Sequence, residues 1–276
     1  MCRHLAYLGP PATLRALLLD PPHGLGTQAW APRQQCHGTM NADGFGAGWY
    51  ADGDPLPARY RRAGPIWADP SFADLARVTR TRAALAAVRS ATAGTEAGAA
   101  AAAPYSSGRW LFSHNGVLAG WPQAAGPLAA TLPAADLLAL EARCDSALAW
   151  ALVAGRLRAG CGAADALAQA IATLAEHQIG GRFNFLLSDG EVIAATAAGD
   201  TLCYRLAGGA VLVASEPGDD DPGWTPVPDQ CVLTATAEGV EVRPLPVPGL
   251  AAPPAAPVTG PARDRIPPVE ERTITR

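Results

Sequence analysis

The stretch MCRHLAYLG, residues 1–9, decides how the rest of the chain is read. A cysteine stands directly behind the methionine and leads at once into an apolar, strand-like run. Cys2 is small enough for aminopeptidase removal of Met1, which would leave one residue carrying both a thiol and a free α-amine. Such a residue is a nucleophile with its own base, provided the chain also supplies groups to receive and orient a substrate. We expect the active protein to have lost Met1.

Working outward, CRHLAYL (2–8) reads as a short strand. GFGAGWYADG (44–53) reads as a Gly-rich strand or hairpin arm, where missing side chains permit close backbone approach. LAAVRS (85–90) and RWLFSHNG (109–116) are further apolar runs ending in polar residues at a strand's mouth. The intervening TAGTEAGAAAAAPYSSG (92–108) has a loop's composition, with too much Gly, Ser and Ala for regular structure. Two helices follow. In DSALAWALVAGRLRAG (145–160), Leu148, Ala151, Leu152 and Ala159 fall near one face, with Asp145 available to cap the start and Gly160 the end. In AADALAQAIATLAEHQIGG (163–181), Leu167, Ile171 and Leu174 recur at helical spacing. RFNFLLSDGEVIAAT (182–196) reads as a hairpin about Ser-Asp-Gly, and TLCYRL, AVLVASE, QCVLTAT and VEVRPL as later strands. Strands, two helices and more strands fit a layered α+β fold with antiparallel sheet better than alternating βαβ units. From about Pro244 the chain is too rich in proline to pack, so 246–276 is expected to be a disordered or loosely attached tail.

Composition narrows the function. A chain of 276 residues with 49% hydrophobic and 17% charged residues can bury a sizeable core. The net charge of −4 is spread without basic runs, which argues against nucleic acid and against a membrane surface as partner. Apolar runs are broken by Arg, Asp or Gly well short of membrane-spanning length. LRALLLD (14–20) is too short for a secretory leader, carries Arg15 and follows Pro10-Pro11. A cytoplasmic protein is expected, with its oligomeric state left open. The six cysteines, Cys2, Cys36, Cys144, Cys161, Cys203 and Cys231, include no CxxC pair. All but Cys2 read as reduced, mostly buried small residues. No cluster has metal-ligand spacing, so neither metal nor cofactor is expected.

Four places set reactive or polar residues at expected strand or helix ends: Cys2, Arg89 in AVRSATAG, His114-Asn115-Gly116 in FSHNG, and Asp145 in RCDSALAW. Each also has a plain reading. Arg89 could be a surface arginine, Asn-Gly a turn, Asp145 a helix cap, and His114 a structural histidine, which we favour for it. Taken together, in this order and anchored to residue 2, they resemble the class II glutamine amidotransferase-like N-terminal-nucleophile hydrolases over about residues 2–245. The resemblance implies a four-layer αββα sandwich with mainly antiparallel sheets. It implies that Cys2 attacks a γ-glutamyl carbonyl, that the Asn115 side chain and the Gly116 backbone N–H receive the oxyanion, and that Arg89 and Asp145 bind the glutamyl α-carboxylate and α-ammonium.

Within that class, DGFGAGWY, RSATAGT, APYSSGRWLFSHNGVLAGW, CDSALAW, GRFNFLLSDG and LVASEP are most similar to the γ-glutamyl amidohydrolases of ergothioneine biosynthesis. This implies hydrolysis of γ-glutamyl-hercynylcysteine S-oxide; the competing expectation is a glutaminase subunit feeding ammonia to a separate synthase. The run DSAL lacks the acidic residue that many glutaminase domains carry just after the aspartate, which counts against free glutamine. A trimethylammonium on the leaving group would favour an aromatic face, for which Trp49, Tyr105, Trp110 and Trp121 are the candidates.

Overall fold

The computed structural model describes residues 2–246; Met1 and residues 247–276, and with them nearly all of the Pro-rich tail, lie outside the described residues. One sheet contains β1 (Arg3–Thr13), β2 (Phe45–Trp49), β3 (Ala58–Arg62), β4 (Arg80–Val88), β9 (Cys203–Ala207), β10 (Ala210–Ala214) and β11 (Thr225–Pro226). Its order is β11-β9-β10-β1-β4-β2-β3. The other contains β5 (Tyr105–Ser107), β6 (Trp110–Leu118), β7 (Gly181–Ser188), β8 (Ile193–Ala197), β12 (Cys231–Ala235) and β13 (Val240–Pro244), in the order β13-β12-β8-β7-β6-β5. Every pairing is antiparallel.

The helices lie outside the two sheets. α1 (Leu14–Leu18), α2 (Leu25–Gln28) and α3 (Pro70–Val78) cover the first; the short α4 (Gly126–Ala129) and α5 (Ala134–Leu138), with α6 (Asp145–Arg158) and α7 (Ala163–Glu176), cover the second. The expected α+β, four-layer architecture holds, and strand alternation explains its three cores. On β1, Leu5 and Tyr7 pack with Leu14, Leu18 and Phe72 under the first helical layer, while Ala6 and Leu8 face Leu186, Ile193 and Leu233 of the opposite sheet. On β6 and β7, Phe112, Phe183 and Phe185 pack beneath Leu148, Trp150 and Ile171, while Leu111 and Leu186 face inward.

Local chemistry accounts for elements that periodicity left unread. LRALL is a helix because the Thr13 hydroxyl accepts from Ala16 N at 3.1 Å and its three leucines bury. DPSFADLARV is helical because Asp69 caps Phe72 N at 2.9 Å and Pro70 occupies the first turn. β1 runs on to Thr13 beyond the expected short strand. The 92–108 segment, read as a loop, contains a 3₁₀ turn at Ala99–Ala101 and the edge strand β5. The expected Gly160 stop lies in left-handed backbone at φ 88°. The glycines of β2 do allow close approach: a Cβ at Gly48 would stand 2.7 Å from a Leu111 methyl across the sandwich.

Candidate active site

Alternation along three strands, together with the start of α6, brings the candidate residues to one end of the space between the sheets. Cys2 precedes Arg3 of β1 and shares the face of His4, Ala6 and Leu8. Arg89 follows Val88 of β4, the partner of Arg3, and continues the inward face of Ala83 and Leu85. Asn115 lies on β6 on the face of Leu111 and Ser113. Ser113 Oγ is 3.2 Å from His4 Nδ1, so the two sheets touch just below Cys2.

Cys2 is half-buried, and its S–H donates to the Ser90 carbonyl at 3.9 Å. Burial pushes the thiol above its ordinary range; Arg89 is close enough to pull it back and Asp145 to push it further. Cys2, Arg89 and Asp145 therefore share one electrostatic environment.

Arg89 is 7% exposed. Its guanidinium donates to Thr95 Oγ1 at 3.0 Å, Glu96 O at 3.1 Å and Asp43 O at 3.4 Å, which fixes the fork while engaging three of its five donors. The plain surface reading of Arg89 is excluded by this burial. Asp145 is 3% exposed and is the first residue of α6, whose N-cap is Cys144. The helix-cap reading is thereby corrected. Its carboxylate accepts instead from Ser146 N at 2.9 Å, Thr92 Oγ1 at 3.2 Å and Leu118 N at 3.2 Å. It binds α6 to the end of β6 and to the loop carrying Arg89, with acceptor capacity left for one more donor.

Asn115-Gly116 is no turn; both residues are within β6, paired with Asn184 and Phe183. Gly116 must be glycine, because a Cβ there would collide with the Arg182 carbonyl oxygen and lie 2.5 Å from His114 Nε2. His114 has the structural role expected of it. Its Nε2–H donates to Arg182 O at 2.9 Å, which leaves Nδ1 to accept from the Ser146 hydroxyl at 3.1 Å. Burial depresses its pKa and keeps the ring neutral.

Several participants carried no signal of their own in the sequence. Arg3 and Glu216 form a fully buried ion pair at 3.8 Å on the outer face of the first sheet. Glu216 also accepts from Arg33 N at 2.9 Å and Gln34 N at 2.7 Å, so β1 is tied to the 33–41 segment. Thr92 and Ser215 belong to runs that are legible as motifs, but only the packing shows their partners. Among the aromatic candidates, Tyr105 is fully buried with its O–H on Ala101 O, and it is excluded from substrate contact. Trp110 and Trp49 lie at the far ends of β6 and β2. Trp121 packs against the core beneath α6 and α7, and it is the next residue, Pro122, whose Cδ would stand 3.6 Å from a Cβ at Gly94 in the loop after Arg89.

Among the described residues, no group of three or more His, Cys, Asp or Glu side chains is arranged to hold a metal ion, and no helix is long and apolar enough to cross a membrane.

The model of the class-II glutamine amidotransferases matches residues 23–208. The chain belongs to that family. It is 43% identical over 245 residues to the gamma-glutamyl-hercynylcysteine sulfoxide hydrolase of Mycolicibacterium smegmatis, covering 89% of this chain and 100% of the relative. It is 41% identical to the protein of the same name from Mycobacterium tuberculosis, covering 89% and 97%. Among solved structures, a glutamine aminotransferase class-II domain protein from Silicibacter pomeroyi superposes with a TM-score of 0.65 at 25% identity, over 88% of this chain and 99% of the other. The glutamine phosphoribosylpyrophosphate amidotransferase of B. subtilis superposes at 0.64 over 88% of this chain and 49% of the other; at 18% identity it shares the fold. As a member of this family the protein is an enzyme.

Proposed function

We propose that the protein hydrolyses the γ-glutamyl amide of γ-glutamyl-hercynylcysteine S-oxide, releasing glutamate and hercynylcysteine S-oxide. The observation that carries the chemistry is the convergence of Cys2, Arg89, Asn115 and Asp145 on one mouth of the sandwich; the substrate follows the names of relatives matched over their whole length.

The reaction begins with removal of Met1, which frees the Cys2 α-amine. A thiol raised by burial needs a base, and an α-amine of pKa about 7.7–8.0 is matched to it. The sulfur attacks the γ-carbonyl as its proton passes to that amine. Negative charge on the carbonyl oxygen is received by the Asn115 amide and the Gly116 N–H, each such donor supplying about 2.7–4 kcal/mol. The tetrahedral species collapses to a Cys2 thioester, and the leaving amine takes the proton from the α-ammonium. Water, activated by the same amine, then splits the thioester to glutamate and free thiol. Arg89 holds the glutamyl α-carboxylate through its free donors, and Asp145 holds the α-ammonium.

The test is glutamate release from a panel of γ-glutamyl amides. Hydrolysis of the hercynyl conjugate, lost on Cys2→Ala, supports the reading; turnover of glutamine alone overturns the substrate. Intact mass of active protein must lack Met1. Trp121 is the aromatic candidate whose chain neighbour, Pro122, lies beside the loop after Arg89, and Trp121→Leu is expected to raise KM for the hercynyl conjugate but not for γ-glutamyl amides without the cation.

A further inference from the structure

Asn115 and Asn184 are direct cross-strand partners, and both are fully buried. Their side chains are treated very differently. Asn184 is saturated: its amide donates to Asp200 O at 2.8 Å and Thr201 O at 3.2 Å, and its Oδ1 accepts from Ala198 N at 2.9 Å and Asp200 N at 3.1 Å. Asn115 makes one side-chain bond, from Nδ2 to Ser215 Oγ at 3.4 Å, and its Oδ1 has no partner among the described residues. A buried amide left this incomplete is costly as structure, which marks it as a group with work elsewhere.

Its single partner is itself fixed. Ser215 is fully buried, directly after β10, and continues the inward face of Val211 and Val213. Its backbone N–H donates to His4 O at 3.0 Å, and its Oγ accepts from His4 N at 3.1 Å. Ser215 is thus pinned twice to the strand that begins with the nucleophile, and its hydroxyl oxygen then meets the Asn115 amide from the other sheet. A planar NH₂ has two hydrogens; once one is directed at Ser215 Oγ, the direction of the second is set.

We propose that Ser215 is a positioning residue for the oxyanion donor. Its hydroxyl, referenced to the Cys2 strand, fixes the rotation of the Asn115 amide so that the second N–H meets the oxygen of the tetrahedral species formed on Cys2. The inference rests on the oxyanion role given to Asn115 above. Because the donor must be in place before charge develops, the loss of Ser215 acts on kcat and spares substrate affinity.

The experiment compares wild type, Ser215→Ala, Asn115→Ala and the double variant with the γ-glutamyl substrate. It adds inhibition by the γ-aldehyde of glutamate, whose thiohemiacetal with Cys2 places an oxygen where the oxyanion forms, and by glutamate itself. Alkylation of Cys2 by iodoacetamide reports that nucleophile and fold are intact. Ser215→Ala is expected to lower kcat by about 10- to 100-fold, to weaken the aldehyde in proportion, and to leave KM, glutamate inhibition and alkylation within about twofold. In the Asn115→Ala background it is expected to have no further effect. Effects that multiply in the double variant, or a parallel loss of alkylation and glutamate binding, overturn the inference. An active Asn115→Ala overturns the oxyanion reading, whereas an inactive Asn115→Ala beside a fully active Ser215→Ala overturns the role of Ser215 alone.

Discussion

Acidification is expected to weaken this fold through His4, two residues from Cys2. The ring is fully buried between the sheets, with Nδ1 on the Ser113 hydroxyl and Nε2 without a partner among the described residues. Burial, helped by neighbouring His114 and Arg3, lowers its pKa from 6.5 to about 3. The unfolded chain therefore binds a proton on this residue between pH 6.5 and about 3, and the native state does not. Stability must rise with pH across that window, and the contribution is lost as pH falls through it. With an unfolded value of 6.5 the loss relative to pH 8 is about 2 kcal/mol at pH 5 and about 3 kcal/mol at pH 4. The pH 5 figure is insensitive to the native pKa so long as that lies well below 5. His4→Gln keeps a polar partner for Ser113 but cannot titrate. Urea unfolding at pH 8 and pH 5 is expected to show wild type losing about 2 kcal/mol more than His4→Gln, with other titrations cancelling in the difference. Equal losses in the two proteins would show that His4 is not held neutral.

Gly116→Ala forces a methyl against the Arg182 carbonyl and His114. It is expected to destabilise by about 1–3 kcal/mol in thermal unfolding and to cut kcat by about 100-fold through displacement of the backbone N–H. Asp145→Asn keeps one acceptor oxygen but loses the charge proposed to hold the α-ammonium; KM is expected to rise about 10- to 100-fold. That rise must vanish for a substrate lacking the α-amine, or the assignment of Asp145 is wrong. Glu216→Gln removes the ion-pair partner of the buried Arg3 guanidinium and disturbs the amides of Arg33 and Gln34. A loss of about 3–5 kcal/mol is expected, with faster proteolytic cleavage in 33–41. An Arg3→Met/Glu216→Leu double variant recovering none of that stability would argue against the pair.

Much of the fold was legible because strand alternation is local. GFGAGWY, RWLFSHNG, RFNFLLS and AVLVAS show their strand character without knowledge of their neighbours, and α6 and α7 announce themselves by spacing, α6 also by Gly160 after its end; α7 stops at Glu176, before the Gly180-Gly181 that the sequence offered. Short helices were not legible in this way. Leu14–Leu18 spans little more than one turn, too few residues for periodicity to emerge, and β5 is an edge strand of three residues made by pairing with β6. Asp145 illustrates the remaining difficulty. Its position at a helix start suggested a cap, yet two of its three acceptor bonds come from Leu118 and Thr92, distant in sequence and brought close by packing.

The sequence alone singled out the candidate residues Cys2, Arg89, Asn115, Gly116 and Asp145 and, through alternation, the face that a strand residue occupies. Only the tertiary structure decided that Asn115 is left unsaturated while Asn184 is not, that Ser215 bridges the two sheets, and that Arg3 and Glu216 bury a charge pair next to Cys2 in the chain. Alternation and spacing are properties of a few consecutive residues; hydrogen-bond satisfaction and desolvation depend on atoms that meet only once the two sheets have closed on one another.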